Sequence, residues 1–398
     1  MGRAQPSTFA LLLPVYVPTI LVSFAAGFIQ PVLPGFIDGF GVSAFLLGIV
    51  LAAEAFGMVL SEIPAGRLVS RLSPKWSMGG AGLLMVLSAF LIPFAPNITV
   101  VTLLLVSSGA GIAVWGLSRH AYLAAFTQSS NRGRASSIFG GVSRIGVFLG
   151  PLVGGILAQR YGPSAAFFGY SVVATLGVVV VWLFVPAIKP RGSSNRVDAQ
   201  QQLRAARPAL IRVGIPQALI QTLRAGRRVL LPLVASLVLG LDYQTTGFIV
   251  AIAGFVDMAL FPVAGWIMDR FGRKFAIVPS IILQTIGMAL LPFVSSAEGL
   301  MAVAILLGFG NGISAGTMMT LGADLAPPGA VALFLSYWRL IGDAGGMLAP
   351  VLVGSAAQVV GLHWSAAAVA AAGAVGMAWF TYFVPETLER PVRPSRSS

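Results

Sequence analysis

The chain has 398 residues, 57% of them hydrophobic and 9% charged, with a mean hydropathy of +0.90 and a net charge of +13. Soluble domains carry roughly 25% charged residues, so the composition excludes an ordinary water-soluble domain and reads as an integral membrane protein. A cysteine count of 0 excludes disulfides, thiol nucleophiles and cysteine-ligated metals; the excess of basic residues is read by its position relative to the membrane, and no nucleic-acid partner is expected.

A helix needs about 20 residues to cross the ~30 Å hydrocarbon core. That ruler gives twelve candidate spans, at 9–37, 44–66, 76–96, 99–124, 136–160, 164–186, 208–239, 245–267, 275–296, 299–324, 330–357 and 364–384. The first is too long for a signal-peptide core and lacks a cleavage site before its prolines, so it is expected to be a retained span. An even number of spans places both termini on one side. The segments on that side carry Arg3, Arg67, Arg71, Lys75, Arg132, Arg134, Lys189, Arg191, Arg196, Arg204, Arg207, Arg212, Arg270, Arg273, Lys274, Arg390, Arg393 and Arg396, against Arg160 alone on the other. By the positive-inside rule both termini are cytoplasmic, and the expectation is a multi-pass protein of the cell membrane. The expected divisions are a six-helix bundle over 1–188, a polar cytoplasmic linker over 189–207, a second six-helix bundle over 208–385 and a cytoplasmic tail over 386–398.

The chain repeats itself at an offset of 199 residues without a gap: Gly27 with Gly226, Gly41 with Gly240, Gly48 with Gly247, Gly66 with Gly265 and Arg71 with Arg270. Pro93-Phe94 matches Pro292-Phe293, Gly146 matches Gly345, Pro151 matches Pro350, Gly155 matches Gly354 and Phe184-Val185-Pro186 matches Phe383-Val384-Pro385. A register held across prolines and their neighbours predicts two parallel six-helix repeats, an arrangement that carriers use to rock about a midplane site.

In the seventh span, TLRAGRRVLLP, the stretch from Val229 to Asp242 is too short to cross alone, so the helix must start near Pro208 and enclose Arg224, Arg227 and Arg228. Their i, i+3, i+4 spacing gives one face, which Gln217 and Gln221 extend. Intramembrane charge usually faces a bundle interior or a wet cavity; the alternative is that these arginines snorkel to headgroups or brace neighbouring helices.

The chain resembles the major facilitator superfamily over essentially its whole length. GWIMDRFGRK, from Gly265 through Asp269, Arg270, Gly272 and Arg273 to Lys274, is the complete loop signature of that family, and GRLVSRLSPK keeps its Gly66 and Arg71 but has Ser70 and Ser73 where the aspartate and second glycine belong. GVFLGPLVGG, with Gly146, Gly150, Pro151, Gly154 and Gly155, is similar to the antiporter signature, and PVLP at Pro31 to Pro34 is typical of the twelve-span drug:proton antiporters. The fourth-helix signature departs: its arginine would stand at Leu105 and its glutamine at Ser108, whereas Arg119 lies fourteen residues on, on the same face but ~20 Å nearer the cytoplasm. The resemblance implies an all-α major facilitator fold of twelve transmembrane helices in two parallel six-helix repeats, working by alternating access. It also implies that the second helix of one half packs on the fifth of the other, so that Asp257 meets Arg144, and that Asp269 latches the halves through the N-terminus of the fifth span near Ser136 and Ser137.

Glu54, Glu62, Asp257, Asp324 and Asp343 fall inside spans, against Arg119, Arg144, Arg224, Arg227, Arg228 and Arg339. Arg339 and Asp343 are one turn apart, at about the level of Glu54; Glu62 and Arg119 lie nearer the cytoplasmic helix ends. Static ion pairing is one reading. The other makes Glu54 first, and Asp257 second, a carrier that loads and releases a proton as burial and an arginine oppose each other. Gln217, Gln221, Arg224 and Arg228, with Arg119 and Arg339, are the expected substrate-cavity residues, facing Gln30, Ser23 and Thr19. The expected function is proton-coupled efflux of small amphipathic molecules; an arginine-rich wall also suits a carrier of an organic anion or other polar metabolite. The expected partners are a small-molecule substrate, protons and lipid, with a monomer as the working unit. No metal, cofactor or enzymatic constellation is expected.

Overall fold

The computed structural model describes residues 12–126, 132–187, 196–327 and 331–388. After a π-helical turn at Leu12–Tyr16, the helices are α1 Val17–Ile29, α2 Leu33–Asp38, α3 Ala44–Arg71, α4 Pro74–Leu91, α5 Ile98–Phe126, α6 Arg132–Tyr161, α7 Ser164–Phe184 and α8 Arg196–Leu233. They continue with α9 Tyr243–Ala259, α10 Phe261–Arg270, α11 Arg273–Leu290, α12 Ala297–Gly312, α13 Thr317–Asp324, α14 Val331–Val360 and α15 Ser365–Phe383. Among the described residues, ten spans are long and apolar enough to cross a membrane, each of the pairs α9–α10 and α12–α13 forming one of them. Leu13–Ile29 is a shorter apolar helix. The protein is an all-helical, multi-pass membrane protein.

Residues 199 apart stop and start helices alike. Gly41 and Gly240 take φ of +67° and +62° just before α3 and α9, and Gly162 and Gly361 take +88° and +83° between α6 and α7 and between α14 and α15. A side chain is strained in that region of φ/ψ space. Ile92–Phe94 and Leu291–Phe293 both tighten into a 3₁₀ turn around a proline. Polar caps finish the job: Ser43 accepts from the Leu46 amide at 3.3 Å, Asp242 from the Thr245 amide at 2.8 Å and Ser296 from the Gly299 amide at 3.2 Å.

Four elements differ from the sequence expectation. The first span is broken by a turn at Gln30–Val32, where Pro31 lacks the donor that the helix needs. The boundary placed at 208 is no break, because α8 runs from Arg196 straight into the arginine-bearing segment. The eighth span breaks at Leu260, since Pro262 stands in the first turn of α10. The tenth unwinds between Gly312 and Thr317, ending on Gly316 with φ of +81°.

Helices meet where side chains are missing. A Cβ on Gly27 would lie 2.6 Å from Gly150 Cα, and Gly146 and Gly154 of α6 press on the α1 backbone at Ser23–Phe24 and Phe28. Between the two sets of helices, Gly48 of α3 lies against Gly354 of α14, and Gly155 of α6 against Gly247 and Tyr243 of α9. Tyr243 N also donates to Gln159 Oε1 at 3.2 Å. Towards the signature-loop end this closeness fades. A Cβ on Gly265 or Gly141 would meet nothing within 4 Å, and one on Gly66 only Leu117 at 3.9 Å. The backbone-to-backbone contacts between the two sets of helices thus lie at the Gly48/Gly155 end.

Gly109 of α5 abuts the Glu54 carbonyl of α3, whereas Gly80 of α4 has open space beside it. Gly109→Leu should lower detergent-state thermal stability by the equivalent of about 1–3 kcal/mol through overpacking. Gly80→Ala should leave it unchanged or slightly raised; size-exclusion melting curves of the two variants check this.

Candidate functional site

The polar centre is organised by Asp257, two residues before the α9 break, whose side chain is 11% exposed. Its Oδ1 accepts from Arg144 Nη1 of α6 at 2.8 Å, and its Oδ2 accepts from Asn311 Nδ2 of α12 at 2.9 Å. Arg227 Nη2 of α8 stands 3.6 Å from the same Oδ2. The Arg144 guanidinium also lies 4.7 Å above the Phe261 ring. One carboxylate therefore gathers two cations and an amide from three helices, and joins α6 to α9 across the chain's halves.

Arg224, Arg227 and Arg228, clustered near the end of α8, go to three destinations. Arg224 Nη2 donates to Ser314 Oγ at 2.7 Å, and Arg224 Nη1 reaches Gln221 Oε1 at 3.5 Å. Ser314 Oγ is 2.6 Å from Ser280 Oγ, which accepts from Gln284 Nε2 at 3.0 Å. Arg224 is thus tied by a buried chain to the unwound α12–α13 turn, and Arg227 belongs to Asp257. Arg228 is exposed and has no hydrogen bond or ion pair among the described residues, although Glu54, Asp257 and Asp343 lie within electrostatic reach. Its guanidinium therefore faces the space among α3, α9 and α14. Gln217 is buried at 4% exposure with Oε1 unpartnered, beside Gly342.

On α3, Glu54 Oε1 accepts from Ser108 Oγ of α5 at 2.8 Å. The expected Arg339–Asp343 partnership gives way to a different one. Arg339 Nη2 stands 4.0 Å from Glu62 Oε1. The Arg339 side chain thus turns across to α3 rather than along its own helix. Arg119 of α5 is within electrostatic reach of Arg339. Gln30 is half-buried in the turn after α1, and Ser23 packs on Gly146. Thr19 is off any cavity wall: it is fully buried and its Oγ1 donates to Val15 O at 2.6 Å.

In the signature loop, Asp269 is 78% exposed and 3.8 Å from Arg273 Nη1. The side chains of Ser136 and Ser137, its expected partners, lie outside the described residues. Arg270 stacks over Trp266 and Phe271 at 5.7 and 5.9 Å. Gly272, at φ +117°, turns the chain into α11, and Arg273 Nε donates to Asp324 Oδ2 at 2.9 Å. Glu386 accepts from the Arg273 and Lys274 amides, each at 2.9 Å. Partial burial pushes the Glu386 carboxyl up, but these amides and those of Thr387 and Leu388 hold it below the usual range. Gly66 and Arg71 close α3, with Arg71 exposed in its last turn.

Ser108, Ser280, Asn311, Ser314 and Glu386 escaped the sequence reading. The available signals were polar residues inside apolar spans, Ser280 and Gln284 at i, i+4, and the glycine spacing in NGISAG.

A helical, multi-span carrier with charged side chains between its halves is the class defined here, and comparison with known proteins gives the family. The Major Facilitator Superfamily profile matches residues 15–225 and 217–398. The chain belongs to that superfamily. It is 20% identical over 376 residues to an uncharacterized MFS-type transporter of Methanocaldococcus jannaschii, covering 91% of this chain and 94% of the other. It is 24% identical over 354 residues to a multi-drug resistance efflux pump PmrA homolog of Lactococcus lactis, covering 86% of each. Its fold matches a bacterial homolog of the human lysosomal transporter Spinster, solved inward-facing and unoccupied, with a TM-score of 0.77 at 15% identity over 95% of this chain and 97% of that one. The protein is an MFS transporter that resembles the drug:proton antiporters.

Asp257→Asn would leave Arg144 and Arg227 without their shared charge. It should lower thermal stability in micelles by about 3–5 kcal/mol, and Arg227→Leu on that background should recover part of the loss, as read by melting temperature. Glu386→Ala should speed amide exchange at Arg273 and Lys274 while leaving α3 protection unchanged, as read by hydrogen-exchange mass spectrometry.

Proposed function

We propose that the protein is a twelve-span alternating-access carrier of the cell membrane, with both termini cytoplasmic, that exports small amphipathic compounds in exchange for protons. The ten long spans, Leu13–Ile29 and the arginine-bearing part of α8 would make up the twelve, and the 199-residue register of their caps and turns favours two parallel repeats over 1–188 and 208–385. The observation that carries the reading is the seam ion pair of Arg144 with Asp257 at 2.8 Å, beside the unpaired Arg228. Structural charge is paired, while one cation is left facing the inter-half space. Close glycine contacts between the halves at the Gly48/Gly155 end, with Asp269 exposed and free of any latch, suit an inward-facing state.

In this reading Arg228, Gln221, Gln217, Gln30, Arg119 and Arg339 border the cargo space, with Arg224 bracing it through Ser314. Glu54 carries the proton. Asp257, saturated by three donors, serves as seam lock more than as carrier. The names of relatives that are multidrug efflux pumps support export. A second reading, carriage of an organic anion or other polar metabolite, is favoured by Arg228 alone, since an exposed guanidinium with no partner suits a carboxylate or phosphate.

The test is accumulation of a cationic and an anionic fluorescent dye in inside-out vesicles with and without an imposed pH gradient. Gradient-driven uptake should occur and be lost in Glu54→Gln, with equilibrium exchange kept. Arg228→Ala should raise the half-saturation concentration of an anionic dye by about ten- to a hundredfold, as for losing a charge-assisted contact of roughly 1.5–3 kcal/mol. Uptake of both dyes indifferent to the gradient overturns the antiport reading.

A further inference from the structure

Arg270, Arg273 and Lys274 give the signature loop its positive charge, and two of the three are consumed inside the protein. Arg273 donates to Asp324 Oδ2 and to Met268 O, each at 2.9 Å, and Lys274 Nζ donates to Thr381 O at 2.8 Å. Arg270 is exposed and makes no hydrogen bond or ion pair among the described residues. It is nevertheless held in place, because its guanidinium lies 5.7 Å from the Trp266 ring and 5.9 Å from the Phe271 ring. Trp266 and Phe271 meet edge to face at 5.4 Å, and Phe275 stacks on Phe271 at 5.4 Å. All three rings are exposed. The neighbouring acid, Asp269, approaches Arg273 at 3.8 Å instead. One apolar span ends at Arg270 and the next begins at Arg273, so this aromatic platform stands at the membrane boundary. Subtracting 199 puts Arg67, Leu72 and Trp76 where Trp266, Phe271 and Phe275 stand, so Arg71, the counterpart of Arg270, lacks the two rings. The platform is a property of one half, and the loop signature does not by itself create it.

We propose that Arg270, Trp266, Phe271 and Phe275 form a binding site for one acidic phospholipid, with its phosphate on the guanidinium edge and its acyl chains along the rings. Stacking occupies the face of a guanidinium and leaves its N–H edge free, and that planar fork matches two phosphate oxygens. Aromatic rings at the end of a span lie at headgroup level, with one side in the apolar phase. The cation and the rings form one continuous surface, and this restricts the occupant. A soluble anion would leave the rings uncovered, and an apolar molecule would leave the guanidinium without a partner. A phospholipid supplies both parts at the depth where the platform stands. Arg273 and Lys274 next to it add to the positive field, which favours an acidic headgroup over a zwitterionic one. The N-terminus of α11 does not compete for the phosphate, because the Arg273 and Lys274 amides already donate to Glu386. On the proposed orientation the lipid belongs to the cytoplasmic leaflet; the site itself does not depend on the transport reading.

The test uses the full chain in a neutral detergent, with phosphatidylglycerol and phosphatidylcholine of identical acyl chains as probes and native mass spectrometry as the readout. One phosphatidylglycerol should stay bound under collisional activation that strips phosphatidylcholine. Arg270→Gln should weaken that first adduct about fivefold, the equivalent of one basic residue at an acidic membrane surface. Trp266→Leu should weaken it too, although the charge stays in place, and Arg71→Gln in the other repeat should not. If Trp266→Leu does not fold, Phe275→Leu carries the same comparison. Glycerol phosphate, which has the anionic group without the chains, should fail to displace the lipid. A phosphatidylglycerol with a photoreactive acyl chain should label the peptide that contains Trp266 to Phe275. Equal retention of the two lipids, an adduct unchanged in Arg270→Gln, or labelling confined to other peptides overturns the proposal. Displacement by glycerol phosphate as effective as by lipid would make this a soluble-anion site and overturn the lipid assignment. None of these readouts involves transport, so the antiport reading stands or falls separately.

Discussion

A guanidinium inside a helical bundle must be paired, hydrogen-bonded or wet, because an isolated buried charge costs several kcal/mol even after relaxation. The centre of this protein is arranged around that constraint. Asp257 meets it for Arg144 and Arg227 at once, and does so from the end of α9, where Pro262 forces the break that separates α9 from α10. Asn311 completes the carboxylate from α12. Arg224 meets it differently, through the Ser314 hydroxyl in the unwound turn between α12 and α13. Non-helical backbone at membrane depth is tolerated when its polar groups are satisfied by protein or water. The arginine and the broken helix therefore stabilise each other.

Glycine sets where the halves can approach. At one end Gly48 lies on Gly354 and Gly155 on Gly247, so backbone meets backbone without intervening side chains. Such contacts are lost without leaving a strained side chain behind, which suits the separation and re-forming of the halves in the proposed cycle. The mid-depth seams carry the specificity that these contacts lack, one through Arg144 and Asp257 and the other through Arg339 and Glu62. Between them stands Arg228, within electrostatic reach of acids on both sides of the seam.

Much of the architecture was legible because it repeats. Glycines that need positive φ, such as Gly41 and Gly240, and prolines that end helices occupy fixed sequence positions and act locally. The family resemblance implied that Arg144 and Asp257 are inter-half neighbours, and depth counted along each helix from a landmark glycine agreed with it. What could not be read was direction. Arg224, Arg227 and Arg228 share a helical face, yet long side chains on one face diverge according to partners on other helices, and Ser314, Asp257 and open space are distant in sequence. Arg339 and Asp343 illustrate the same limit, since i, i+4 spacing permits a local pair but Glu62 on α3 draws Arg339 across the seam. Helix breaks were missed where hydropathy stays high through them, as at Leu260 and Ile313.

On the proposed cycle, the exposed cation sets a condition on every closed state. Arg228 is hydrated while the bundle is open; closing over it removes that water, and the charge must then find a counter-charge. The groups able to supply one are the carboxylates of Glu54 and Asp343 or an anionic group on the cargo. A proton on either acid withdraws that counter-charge. An anionic cargo and the carboxylates thus compete for the same guanidinium, so a proton on an acid favours the anion without touching it. This is the linkage expected on the organic-anion reading, and a difference in affinity between two states is all that such coupling requires. The constraint that forces Arg227 onto Asp257 is, one residue further on, the one that links the load to the proton on the proposed cycle.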